Sequence, residues 1–91
     1  MGRLPADVRS DVAAARRRAS LTQRRLGELV GVSRQTVVEI EAGGYNPSTA
    51  VALRLAVALD TPVEQLFALP AAEADRIRAR RDAAKTGGRD A

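Results

Sequence analysis

Residues 21–43 read LTQRRLGELVGVSRQTVVEIEAG and carry two sets of helix signals with only Gly31-Val32-Ser33 between them. Thr22 is a good N-cap, and Leu21 with Leu26 makes a hydrophobic staple around it. Leu26, Leu29 and Val30 form a stripe that predicts a buried face. Gly31 suits the left-handed residue that closes a helix. The same grammar then repeats. Ser33 is an N-cap, Val32 and Val37 stand at staple spacing, and Val37 and Ile40 face inward at i and i+3. Gly43-Gly44 ends this second helix.

A connection that short, containing glycine, holds two helices at a large angle, as in a helix-turn-helix; an ordinary hairpin of two helices in a small bundle has the same outline. Gly27 fits a close crossing. Glycine inside a helix costs ~1 kcal/mol, which is understandable where the next element passes near it.

Working outward, 7–18 is rich in helix formers, with Val8, Val12 and Ala15 on one stripe, acids early and arginines late. Beyond Tyr45-Asn46-Pro47, a loop, Ser48 caps TAVALRLAVALD, which is apolar nearly all round and so reads as a central, buried helix. Thr61-Pro62-Val63-Glu64 has the form of a capping box, with proline at the first helical position, opening a short helix through Leu66 and Phe67. No strand pattern is visible. The expected fold is all-α: five helices in a domain over 7–69, then a basic, partly helical or disordered tail over 70–91.

The 91 residues include one Phe, one Tyr and no Trp, so the core must be built from Leu, Val, Ile and Ala. There is no Cys and no His, so the usual thiolate, acid–base and transition-metal groups are missing. No enzyme, cofactor or metal is expected. No apolar run approaches the ~20 residues of a membrane span, and residues 1–20 do not read as a secretory signal; a cytoplasmic protein is expected. The net charge is +4, unevenly spread: +5 from Arg9 to Arg34, −5 from Gln35 to Asp75 and +4 from Arg76 onward. Such asymmetry fits a basic face that meets a polyanion, or simply a solvated surface.

LTQRRLGELVGVSRQTVVEIEAGGYNPSTAVALRLAVAL resembles the Cro/C1-type (XRE family) helix-turn-helix domain of phage repressors and bacterial regulators. LTQ, the LVGVSRQT core, the IE-x-G segment and the YNPS loop occur in order and at family spacing over roughly residues 9–69. The resemblance implies a five-helix, lambda-repressor-like domain that binds double-stranded operator DNA as a dimer. The residue chemistry agrees. Ser33 puts Arg34, Gln35 and Thr36 in the first turn of the second helix of the motif. An exposed helix N-terminus fits the major groove, where Arg bonds both acceptors of guanine and Gln matches the edge of adenine. Glu39, one turn on, can accept from cytosine N4, or is a solvated acid. Positions matching Arg34, Gln35 and Glu39 are the family's usual base readers.

Phosphate contacts are expected at helix N-termini, including that of Ser33, whose amides and dipole favour anions. Gln23 matches the family's phosphate-contacting position. Arg24 and Arg25 stand where family members often carry acids. Cations there cost ~0.3–1 kcal/mol against the helix dipole, a penalty that nearby phosphates reverse; the alternative is a pair of solubilising charges. Tyr45 and Asn46 lie in the loop where the family touches the DNA backbone, while Gly44 replaces a frequent Lys. Arg16 and Glu41 match a structural ion pair. Val63, Leu66, Phe67 and Leu69 are expected at a dimer contact, which implies an inverted-repeat operator.

The leading reading is a sequence-specific transcriptional regulator, a repressor, that uses helix 34–41. An antitoxin-type regulator, holding a partner protein through AAEADRIRARRDAA, is the alternative; such a tail would carry more apolar anchors than Ile77 alone. A third reading makes these residues the DNA-binding part of a longer, ligand-sensing regulator. Residues 71–84 have high helix propensity but cannot bury a stripe, which predicts a protruding helix with a fraying end at Gly87-Gly88.

Overall fold

The computed structural model describes residues 8–43 and 45–87. In chain order the elements are β1 (Arg9–Ser10), α1 (Val12–Arg18), α2 (Gln23–Val30), α3 (Arg34–Ala42), α4 (Thr49–Ala58), α5 (Val63–Leu66), β2 (Phe67–Ala68) and α6 (Ala71–Gly87).

Three of the four predicted caps form. Thr22, Ser33 and Ser48 accept from the backbone N–H of Arg25, Thr36 and Val51 at 3.0, 3.0 and 3.1 Å. Gly31 and Gly43 close α2 and α3 in the left-handed region, at φ 80° and 85°. Gly27 is buried, and a Cβ there would stand 2.7 Å from the carbonyl oxygen of Val32 and 3.3 Å from that of Ser33. The turn backbone itself occupies the space a side chain would need. The two helices of the motif are thereby drawn together over the turn.

Val12, Ala15, Leu26, Val30, Val37, Ile40, Leu55, Leu59 and Leu66 make one buried core, with Leu21, Val32, Val51 and Phe67 packed against it. Every element from α1 to α5 contributes to it. Each fully buried Val or Leu contributes roughly 1.5–3 kcal/mol, so these few side chains dominate the stability of the domain.

Several expectations are corrected. α1 begins at Val12, not near residue 7, because Arg9–Ser10 pairs antiparallel with Phe67–Ala68, Arg9 opposite Ala68 and Ser10 opposite Phe67. Residues 1–7, Asp7 among them, lie outside the described residues, as do Gly44 and 88–91. The Asp11 amide donates to the Leu66 carbonyl at 2.8 Å and extends the tie. The capping box at Thr61 does not form. The Thr61 hydroxyl donates to the Leu59 carbonyl at 2.8 Å, Pro62 takes the cap position, and α5 starts at Val63. Phe67 turns extended to pair with Ser10 instead of ending a helix. Leu29 is 47% exposed and leaves the buried stripe of α2, where Gly27 sits instead. α4 is not central: only Leu55 within it is fully buried, and Leu53 and Val57 are 53% and 83% exposed. Leu66, expected at a dimer surface, is 1% exposed and belongs to the core of the single chain.

α6 runs from Ala71 through Gly87 as a helix outside the core, with Ile77 51% exposed. From 71 to 85 its residues are exposed except for the half-buried Glu73 and Ala74.

Candidate nucleic-acid interface

The N-terminal ends of α2 and α3 are built by Thr22 and Ser33, whose hydroxyls each satisfy one amide of a first turn that has no carbonyl partners within its own helix. Arg34, Gln35 and Glu39 are exposed on α3 and Thr36 is half-buried. Gln35 and Glu39, one turn apart, approach at 3.5 Å between Nε2 and Oε2. The Thr36 hydroxyl is turned back onto the Ser33 hydroxyl, 2.9 Å away. Of the four residues expected to read bases, Arg34, Gln35 and Glu39 present exposed side chains, while Thr36 is half-buried and partly engaged by the cap.

A chain of bonds joins the outer face of α3 to the interior. Arg16 on α1 donates through Nε and Nη2 to the two oxygens of Glu41, at 2.5 and 3.3 Å, and through Nη1 to the Leu21 carbonyl at 2.8 Å. The side chains of this pair are 13% and 8% exposed. The expected ion pair therefore forms, in the two-point geometry that suits Arg with a carboxylate. Gln23, at the first position of α2, donates Nε2 to Glu41 at 3.1 Å. Its Oε1 accepts from Arg34 Nη2 at 3.1 Å. The guanidinium of the foremost α3 residue thus rests on an amide that is itself held by a mostly buried carboxylate.

Burial by itself pushes the Glu41 carboxyl up. Hydrogen bonds from Arg16 and Gln23, together with the charges of Arg16 and Arg17, outweigh it and hold the carboxyl below its ordinary value of 4.5. The ionised form is the one the network requires.

Arg24 and Arg25 are 81% and 58% exposed, and both reach back to Glu28, at 3.5 and 3.2 Å. Their spacing from Glu28, at i+4 and i+3, was the available signal for these pairs. Exposed pairs of this kind contribute little and exchange readily. Tyr45 and Asn46 are exposed in the connection after α3. Nothing in the local sequence signals that Gln23 joins Glu41 to Arg34, because both partners are distant in the chain.

The helix-turn-helix family model (HTH_3) matches residues 12–66, from the start of α1 to the end of α5. The chain belongs to the XRE-type helix-turn-helix family. This helix-turn-helix protein is 42% identical over 60 residues to the HTH-type transcriptional regulator YgzD of Bacillus subtilis, covering 66% of this chain and 91% of the relative. It is 41% identical over 63 residues to an HTH-type transcriptional regulator of Methanothermobacter thermautotrophicus, covering 68% of this chain and 91% of the relative. Among solved structures it is similar to the restriction-modification controller protein C.AhdI from Aeromonas hydrophila, with a TM-score of 0.55 and 34% identity over 58% of this chain and 77% of that one. The hypothetical transcription factor NHTF from Neisseria shares the fold at a TM-score of 0.59 and 24% identity, over 87% of this chain and 94% of that one. The helix-turn-helix protein is therefore a transcriptional regulator with a DNA-binding domain. Among the described residues no helix is long and apolar enough to cross a membrane.

Proposed function

We propose that this regulator is a repressor that reads the major groove of its operator with α3. Arg34 and Gln35 are the principal base readers, and Glu39 is a third contact one turn on. The observation that carries the reading is the exposed Arg34 side chain, set in the first turn of α3 and steadied by Gln23. A guanidinium held in place loses less freedom when it meets the two acceptors of guanine. Gln23 and the amides at the start of α2, Arg24, Arg25, the Ser33 end of α3, and Tyr45 with Asn46 supply the phosphate contacts. Arg24 and Arg25 exchange Glu28 for phosphate at little cost, since both pairs are exposed.

Two copies bind an inverted repeat with half-site centres ~10–10.5 bp apart. The likeness to a restriction-modification controller supports control of transcription by a small helix-turn-helix protein. Selection of bound duplexes from a random pool, followed by binding to single-base variants of the winner, tests the proposal. Wild type should select one half-site sequence, and Arg34→Ala and Gln35→Ala should each relax preference at a different base pair. Unchanged preference profiles in both variants would remove α3 from base reading.

A further inference from the structure

The elements that open and close the domain leave a hollow of about 390 Å³ between them. β1, the two ends of α1, α5 and β2 supply its walls, and no residue of α2, α3 or α4 takes part. Leu66, Phe67 and Ala68 give it an apolar side. Arg9, Asp11, Arg18, Glu64 and Gln65 surround the rest. The volume is at the low end of small-molecule sites, ~300–1,000 Å³. Filled with solvent alone, it would hold on the order of a dozen waters.

The fold makes no use of these five polar side chains. Among the described residues none of them is in an ion pair or a side-chain hydrogen bond. Other arginines of the domain behave differently. Arg16, two residues before Arg18, is taken up by Glu41 and the Leu21 carbonyl, and Arg24 and Arg25 both reach Glu28. Asp11 is the N-cap residue of α1 and Arg18 is the last residue of that helix. A helix of this length, ~10 Å, therefore separates a negative group from a positive one along one wall. Arg9 and Arg18 balance Asp11 and Glu64, so the hollow carries no net charge. A simple anion gains at the guanidiniums and loses at the carboxylates, and a simple cation does the reverse. A molecule that carries both charges, joined by a short aliphatic chain, gains at both ends and lays its carbons against Leu66, Phe67 and Ala68.

We infer that the hollow between β1, α1, α5 and β2 is a binding site for a small zwitterion of amino-acid size, with a carboxylate and an ammonium group at the two ends of an aliphatic body. Arg9 and Arg18 receive the carboxylate, Asp11 and Glu64 receive the ammonium group, and the Gln65 amide can serve either. The inference goes beyond the reading of DNA and does not rest on it, because none of the residues assigned to bases or phosphates lines the hollow. The four charged side chains are exposed, so each ionic contact contributes up to about fivefold in affinity. Selectivity comes from needing both contacts at once.

The test is amide NMR of the full chain without DNA, titrated through the millimolar range with ε-aminocaproate. Caproate and hexylamine are titrated in parallel; each keeps the carbon chain and lacks one of the two charges. The zwitterion should shift the amides of β1, Arg18 and 64–68 saturably. Caproate and hexylamine should each bind more weakly, by up to about fivefold for the contact forfeited. This ranking needs no variant. Arg9→Gln with Arg18→Gln leaves only the two acids, so hexylamine should then bind more tightly than the zwitterion. Asp11→Asn with Glu64→Gln leaves only the two guanidiniums, so caproate should then overtake it. Asp11 makes no side-chain cap bond, and all four side chains are exposed, so both variants should melt like wild type. The absence of a saturable shift, shifts centred on α3 or α6, equal affinity for the three probes, or an order that both variants leave unchanged overturns the site. Duplex selection by wild type is a separate measurement. Loss of this site leaves the α3 reading standing, and failure of the α3 reading leaves this site standing.

Discussion

Ser33 and Ser48 start α3 and α4 with the same bond, 3.0 Å to the Thr36 amide and 3.1 Å to the Val51 amide, yet the two helices turn opposite chemistry outward. α3 buries Val37 and Ile40 and exposes Arg34, Gln35 and Glu39. α4 buries Leu55 and exposes Leu53 and Val57. The exposed face of α3 is braced from inside by Gln23 and Glu41, whereas that of α4 is unbraced. A cap decides where a helix starts; the outward residues decide what it can meet. Polar groups that must meet a base at fixed angles gain from bracing, and apolar groups that need only exclude water do not.

The largest expected effect comes from removing the brace. Arg16→Ala leaves the Glu41 carboxylate mostly buried without its cation, and breaking a buried pair costs ~3–5 kcal/mol. Thermal or urea unfolding measures it, and a loss under ~1 kcal/mol would fit only a solvent-screened pair. The same pair gives a pH signature. Glu41 has a folded value below 4.5, so its contribution is complete above the unfolded value and is lost as pH falls through the folded one. The melting temperature of wild type should therefore drop on the acid side of 4.5. Glu41→Gln, less stable at neutral pH, should drop less steeply there.

Next comes Arg34→Ala, which should lose ~1–3 kcal/mol on the best duplex while melting like wild type, because the side chain is outside the core. A matching loss on random duplexes would make Arg34 a phosphate contact instead. The two caps sharpen the comparison further. Ser33→Ala and Ser48→Ala should each lower stability by ~1 kcal/mol, and only Ser33→Ala should also weaken DNA binding at a temperature where both remain folded. Equal DNA losses would show that α4 shares in the reading. The smallest effect is expected from ending the chain after Pro70. α6 lies outside the core, so the melting temperature should hardly move. The slope of log affinity against log salt should become shallower by ~0.9 for each phosphate contact that Arg76, Arg78, Arg80, Arg81 and Lys85 make. A large fall in melting temperature would show that α6 packs on the domain. An unchanged slope would leave the tail free for a protein partner, as the antitoxin alternative requires.

What could be read from the chain is what acts over short distances. Thr22, Ser33 and Ser48 cap as their side chains dictate, Gly31 and Gly43 take the backbone that glycine accepts, and the family motif marks Arg16 and Glu41. Longer-range features escaped. A two-residue ribbon between Arg9–Ser10 and Phe67–Ala68 has no period to detect. The burial of Leu66 and the exposure of Leu29 depend on which neighbours the fold brings up, and side-chain type is silent about that. Thr61 looked like a cap until its hydroxyl found the Leu59 carbonyl. α4 shows the limit most plainly: an apolar sequence states what a helix would bury, and the fold buries only part of it.

The ribbon also changes how the domain can be thought of as an object. With Arg9 opposite Ala68 and the Asp11 amide on the Leu66 carbonyl, the first and last elements of the domain lie side by side. The helices form a ring that lacks one covalent joint. A short linker between residues 8 and 69, with the chain opened between Tyr45 and Asn46, would give a circular permutant. It would keep the α2–α3 pair contiguous, exchange one loop closure for another of modest entropic cost, and carry α3 at the end of the polypeptide instead of its middle.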